Sequence, residues 1–206
     1  NKVNQITFTL TEENELKIHY HITTDKKTII NMTNHSYFNL SGNLSSSIKN
    51  HELWLDCSHY TPVSEGGIPT GEIAKVEGTV MDYTRSKLLE EGLESNFSQI
   101  KLAKGYDHNF CVDNWNGELK KVGQLWHKES GRCMEVFSDL PGIQVYTGNY
   151  LGICIGKKKK VYKTYGAICM ETQYFPNHIN EKNFVSAIFD ETKPYDSTTI
   201  YKFSVK

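Results

Sequence analysis

The chain has 206 residues, 38% hydrophobic and 23% charged, with a formal net charge of -1. That length and apolar content suit one globular domain over residues 1–206, or part of a larger one. A near-neutral charge gives no electrostatic reason to expect nucleic acid or an anionic membrane surface as a partner, and no apolar run approaches the ~18 residues of a membrane span.

In chain order, the first residues already have strand character, with Val3, Ile6, Phe8 and Leu10 apolar and no signal-peptide pattern or initiator Met before them. A chain opening in this way is expected to lack an N-terminal part. Leu16, Ile18, Tyr20 and Ile22 then alternate with Lys17, His19, His21 and Thr23, a period of two that predicts a strand with one buried face. Turn-like clusters follow at Asp25-Lys26-Lys27, Ser41-Gly42-Asn43, Ser64-Glu65-Gly66-Gly67, Asp113 to Gly117 and Ser130-Gly131. Between and after them lie short runs rich in β-branched and aromatic residues, at Glu52–Leu55, Met134–Phe137, Ile143–Tyr146 and Ile200–Val205. Only Ser86–Leu93 reads as a helix. Many closely spaced strands and almost no helix predict an all-β fold, an antiparallel sandwich or barrel. Lys157–Lys160, after Gly156, reads as a solvated loop tip rather than a phosphate site.

Cys57, Cys111, Cys133, Cys154 and Cys169 are an odd, scattered set without metal or redox spacing, so buried free thiols in a reducing compartment are expected. Glycosylation sequons stand at Asn31, Asn34, Asn39, Asn43 and Asn96. Four of them crowd around one histidine, where a glycan would obstruct a site. We read them as incidental and expect a cytoplasmic protein.

That histidine is His35, in the segment Asn31-Met-Thr-Asn-His-Ser-Tyr-Phe-Asn-Leu-Ser-Gly42. An imidazole among amides and hydroxyls, with an aromatic pair behind it, suits acid–base chemistry near neutral pH. Three further segments carry polar groups that packing does not explain. Gly105-Tyr-Asp-His-Asn-Phe110 sets Asp107 beside His108, and Pro141 to Asn149 sets Gln144 in an otherwise apolar strand. Glu171 ends the apolar run Ala167-Ile168-Cys169 just before a turn, where apolar neighbours raise a carboxylate's pKa toward the range of a general base. Taken singly, each also has a structural reading: His35 as a hydrogen-bonded strand residue, Asp107 as a turn-former, Gln144 as an outward strand residue, Glu171 as a surface carboxylate.

Together the four segments resemble the aldose 1-epimerases, also called galactose mutarotases. The resemblance rests on Asn31–Leu40, Gly105–Phe110, Pro141–Asn149 and Glu171-Thr-Gln173 with Pro176 and Asn180 beyond it. Weaker echoes are Ile68–Gly71, Gly78-Thr79 with Asp82, and Tyr195–Phe203. The matches keep the family's order along the whole chain but cover roughly the C-terminal three-fifths of a typical member. The resemblance implies a large antiparallel β-sandwich of the galactose mutarotase-like supersandwich type, its N-terminal part missing. It also implies interconversion of the anomers of free hexoses without a cofactor or metal, with an aldohexose as the small-molecule partner. By the same resemblance, His35 is the acid that protonates the ring oxygen and Glu171 the base on the C1 hydroxyl, while Asp107 and Gln144 hold other hydroxyls. No role passes to His51, His59 or His108. An arginine and a second histidine of the family pattern, upstream of these segments, have no counterpart here, so weak activity from this piece alone is expected. Two rivals are an epimerase of hexose 6-phosphates, for which only Arg85 and Arg132 could supply guanidinium groups, and a sugar-binding or regulatory protein of the same fold that has lost catalysis. A generic sandwich interaction domain is the bland alternative.

Overall fold

Period-two alternation sets the first buried strand. In the computed structural model, which describes residues 1–42 and 46–206, the alternating segment folds as the strand Glu15–Thr24, with Ile18, Tyr20 and Ile22 buried. It lies in a seven-stranded sheet whose order is Lys2–Leu10, Glu15–Thr24, Tyr195–Val205, Arg132–Ser138, Lys120–Trp126, Glu52–Leu55 and Lys87–Leu88. A second sheet of five strands runs Cys169–Gln173, Gly142–Tyr146, Asp107–Cys111, His59–Thr61 and Ala74–Lys75. All pairings within both sheets are antiparallel. The expected strands at 52–55, 134–137, 143–146 and 200–205 all fall inside observed ones.

The two sheets pack face to face. Ile18, Leu53 and Met134 from the larger sheet join Phe110, Ile143 and Met170 from the smaller in one buried cluster, the apolar burial that drives the layers together. Tyr201 Oη reaches across the interface to donate to the carbonyl of Met170 at 2.8 Å, and the Thr199 and Thr172 hydroxyls pair there as well. Gly123 sits beneath the same strand: a Cβ there would come within 2.8 Å of Met170 Cε and 3.2 Å of Leu55 Cδ2. Glycine there leaves the ends of the Met170 and Leu55 side chains their place between the layers. The architecture is an all-β antiparallel sandwich, as expected.

Three details differ from the sequence reading. Helix covers only Leu89–Leu93 of the 86–93 stretch, because Lys87 and Leu88 pair with Leu53 and Glu52 at the edge of the larger sheet. A second helix, Ser98–Ala103, was not expected; it buries Ile100 and Ala103 and ends where Lys104 and Gly105 turn to φ of 57° and 139°. All five cysteines are free thiols, but Cys111 is only partly buried and Cys154 is exposed, lying in the small hairpin of Cys154–Ile155 and Val161–Tyr162. The Lys157–Lys159 turn of that hairpin is an exposed loop tip, as read. Asn43, with its turn and sequon, lies outside the described residues. No helix among the described residues is long and apolar enough to cross a membrane.

At the far edge, every residue of the strand Lys2–Leu10 is exposed. Ile6 opposes Tyr20 and Phe8 opposes Ile18, so these side chains project on the core side of the sheet. Even so, Phe8 is 62% and Leu10 81% exposed.

Candidate functional site

Register gathers the polar side chains. Gln144 lies between Asn109 and Glu171 on its neighbouring strands, Tyr146 between Asp107 and Cys169, and Gly142 between Cys111 and Gln173. Residues directly opposed in an antiparallel pair share a face, and successive residues alternate between faces. Asp107, Asn109, Gln144, Cys169, Glu171 and Gln173 therefore all project from the face away from the core. Phe110, Ile143, Val145 and Met170 project into it.

These outward groups are tied to one another. Gln144 Nε2 donates to Asp107 Oδ1 at 2.8 Å, and Gln173 Nε2 donates to Gln144 Oε1 at 3.0 Å and Asn109 Oδ1 at 3.3 Å. The amides thus fix the Asp107 carboxylate and leave a rigid floor of acceptors and donors.

His35 comes from a segment without regular strand structure, and bonds from its main chain and from flanking side chains place it over this floor. Asn31 Nδ2 donates to the Tyr174 carbonyl while its Oδ1 accepts the Tyr174 N–H, both at 2.9 Å. Phe38 exchanges a reciprocal pair of backbone bonds with Ile168, and Asn39 Nδ2 donates to the Gly166 carbonyl at 2.9 Å. The Leu40 N–H, in turn, donates to His51 Nε2 at 2.9 Å. The segment is thereby stapled at both ends to the stretch that carries Glu171. His35 Nε2 lies 3.4 Å from Glu171 Oε1, and its Nδ1 lies 3.4 Å from Cys169 Sγ. Tyr37 and Tyr146 flank the imidazole, their ring centroids 5.0 and 5.9 Å away.

All four residues picked from the sequence, His35, Asp107, Gln144 and Glu171, are brought together. His35 is about half exposed, whereas Glu171 is buried. Burial raises the Glu171 carboxyl to about 7; His35 opposes the rise and Asp107 adds to it. Burial also raises Asp107, against the Gln144 hydrogen bond and His35. The Cys169 thiol is pushed well above the usual thiol range by burial, with the two carboxylates adding to the effect. Cys169, Tyr146, Asn109 and Gln173 were not singled out from the sequence. Each stands two residues from one that was, so strand periodicity carried the signal.

His108, on the core side, is buried, its Nδ1 accepting the Asp107 N–H and its Nε2 facing Gln99, and it does not reach this face. Tyr37 and Asn39 line a cleft of about 380 Å³ with Lys157 and Tyr162, and Asp107 lines another of about 260 Å³ with Gly66, Gly67 and Tyr150. Neither His35 nor Glu171 lines these clefts; Tyr37, which stacks near His35, and Asp107 do. A larger cavity than these two, about 760 Å³, lies elsewhere, lined by His59, Lys75, Arg85 and Lys87 among others. An imidazole and a near-neutral carboxyl in contact, above a hydrogen-bonding floor, can move protons on a polyhydroxylated molecule. His35, Cys169 and Glu171 could together ligate a metal ion, their donor atoms all lying within 4.8 Å of one another.

Residues 4–202 match the sequence pattern of the aldose 1-epimerase family. The chain belongs to that family. It is 39% identical over 201 residues to the galactose mutarotase of Homo sapiens, covering 97% of this chain and 57% of the human protein. With the aldose 1-epimerase of Escherichia coli (strain K12) it shares 31% identity over 200 residues, 96% of this chain and 57% of that protein. Among solved structures, an aldose epimerase homologue from C. elegans superposes with a TM-score of 0.87 at 25% identity, over 99% of this chain and 60% of that one. A galactose 1-epimerase from Lactobacillus acidophilus gives 0.83 at 27% identity, over 100% and 57%. This aldose 1-epimerase family member therefore spans just under three-fifths of the length of the relatives it matches.

Proposed function

We propose that the chain carries the acid–base centre of an aldose 1-epimerase, which interconverts the α and β anomers of free hexoses such as galactose and glucose. The observation that carries this reading is the 3.4 Å contact between His35 Nε2 and Glu171 Oε1, with Glu171 raised to about 7. O1 and O5 of a pyranose are bonded to the same carbon, so two proton-handling groups set side by side suit them.

In the forward step Glu171 takes the proton from the C1 hydroxyl while His35 gives one to the ring oxygen. The C1–O5 bond breaks, and C1 becomes an aldehyde. Rotation about C1–C2 turns its other face to the C5 hydroxyl. Reclosure returns both protons, with the roles of the two side chains reversed. A base that titrates near neutrality both accepts and releases its proton readily at working pH. Asp107 and Gln144 hold further hydroxyls and fix the sugar's orientation. The relatives named galactose mutarotase support galactose as a substrate. Five free thiols support the cytoplasmic reading. The continuous core supports residues 1–206 as one domain.

Polarimetry of freshly dissolved α-D-galactose tests the proposal. The protein should speed the optical change above the buffer rate, and Glu171→Gln should remove that acceleration while calorimetry still detects galactose binding. A protein that binds galactose but gives no acceleration is the sugar-binding rival instead. The hexose 6-phosphate rival has less support: Arg132 donates to the Leu40 carbonyl and Arg85 lines the separate 760 Å³ cavity, so neither touches the His35–Glu171 pair.

A further inference from the structure

We propose that this centre is also a binding site for a borderline-soft divalent cation, zinc above all, held by His35, Cys169 and Glu171, and that cation and sugar exclude one another. The inference rests on the reading of His35 and Glu171 as the proton-handling pair. The cation takes no part in epimerisation; it blocks it.

The donor set points to zinc. An imidazole nitrogen, a thiol sulfur and a carboxylate oxygen lie within 4.8 Å of one another. His35 stands 3.4 Å from each of the other two residues, through Nδ1 to the Cys169 sulfur and through Nε2 to the Glu171 oxygen, and one of these nitrogens would bind the ion. Ligand atoms around a tetrahedral zinc, bound at ~2.0–2.3 Å, stand ~3.3–3.7 Å apart. The present spacing needs a closure of at most about an ångström, and His35, half exposed, has room to make it. Sulfur disfavours magnesium and calcium, which take oxygen donors, and favours zinc or cobalt.

The scaffold is rigid on two of its three arms. Cys169 and Glu171 are two residues apart on one strand, so both project from the same face, and both are buried. Tyr146 and Gln144 stand opposite them on the next strand and keep that strand in place. The third arm, His35, lies on the solvent side, which leaves the fourth tetrahedral position for water. Coordination takes Cys169 as the thiolate, its proton passing to bulk buffer. It also occupies the imidazole lone pair and the carboxylate that proton transfer to sugar requires. One bound ion therefore silences both groups.

The test uses the full chain, purified without a histidine tag, titrated with Co²⁺ and with Zn²⁺. Cobalt should bind one per chain and give a sulfur-to-cobalt charge-transfer band in the near ultraviolet. The band should vanish in Cys169→Ser and persist in Cys154→Ser, which alters the exposed thiol. Zinc affinity by calorimetry should fall by ~100-fold or more in both Cys169→Ser and His35→Gln, and saturating galactose should displace the ion. A band that survives Cys169→Ser, or is lost in Cys154→Ser, overturns the proposal. A chain that mutarotates galactose but binds neither ion overturns the metal site and leaves the acid–base reading standing. A metal site sensitive to Cys169→Ser in a chain inert toward galactose does the reverse.

Discussion

Phe38 and Ile168 exchange two backbone hydrogen bonds, of 2.8 and 2.9 Å, and this bridge joins the segment of His35 to the strand of Glu171. Phe38 lies three positions after His35 and Ile168 three before Glu171, so the bridge brings together side chains far apart in sequence. Such a site is held by main chain and by flanking side chains such as Asn31 and Asn39 rather than by its own reactive groups. Substitutions at the reactive positions should therefore change chemistry while leaving the fold intact.

Glu171 is the sharpest case. Its carboxyl is held near 7 by burial, against 4.5 ordinarily, so the fold favours its neutral form. A folded-state value above the unfolded one gives stability that is present below 4.5 and is lost as pH rises to 7. That gap converts to roughly 3 kcal/mol at ~1.36 kcal/mol per pH unit. Glu171→Gln should match the parent's stability at pH 4 and exceed it at pH 8 by about that amount, measured by urea unfolding at both pH values. Equal stability at pH 8 would mean the carboxylate is not desolvated.

Gln144 should act on binding more than on turnover. Its amide donates to Asp107 and accepts from Gln173 within the hydrogen-bonded floor. Gln144→Ala should raise KM for galactose by roughly 3–10-fold, the worth of about one hydrogen bond, with a smaller change in kcat. Initial rates across a galactose range would show the split, and a collapse of kcat at constant KM would oppose it.

Much of this was legible in the sequence. The alternation at residues 16–23 predicted the inward face of its strand. His35 stood out as an imidazole among amides and hydroxyls, and Gln144 and Glu171 as polar groups in apolar runs, but it was the resemblance of the four segments together to one family that gave these residues and Asp107 their roles. What escaped notice were their partners at a spacing of two, Cys169, Tyr146, Asn109 and Gln173, because each is unremarkable until register shows which face it joins. Lys87–Leu88 was misread as helix for a similar reason: its partner, Glu52–Leu53, lies more than thirty positions earlier, and no local pattern announces a pairing at that distance.

His51 should couple stability to acid. Fully buried, it accepts the Leu40 N–H at the end of the His35 segment, and burial, then the neighbouring His127, lowers its pKa to about 4. A folded value below the ordinary 6.5 gives stability present above 6.5 and lost as pH falls toward 4. His51→Phe orphans the Leu40 N–H, at a cost of about 1–3 kcal/mol at pH 7.5, but removes the titrating group. Thermal unfolding should show the gap between parent and variant narrowing as pH drops from 7 to 4. A gap independent of pH would count against this account.

The outer strand should govern self-association. Ile6, Phe8 and Leu10 project on the core side of the sheet yet remain exposed, beside an edge that offers its backbone to another chain. Phe8→Lys should lower the apparent mass seen by sedimentation at high protein concentration and leave the unfolding free energy within about 0.5 kcal/mol of the parent. An unchanged sedimentation profile for an associating parent would locate the contact elsewhere.

The most direct test of the central claim is a double-mutant cycle on His35 and Glu171, read by polarimetry of α-D-galactose. If the two side chains work as one proton shuttle, His35→Asn and Glu171→Gln should each lose ~10²–10⁴-fold in rate, and the double variant should be scarcely slower than the worse single one. Losses that multiply, or a single variant that keeps the parent rate, would contradict it.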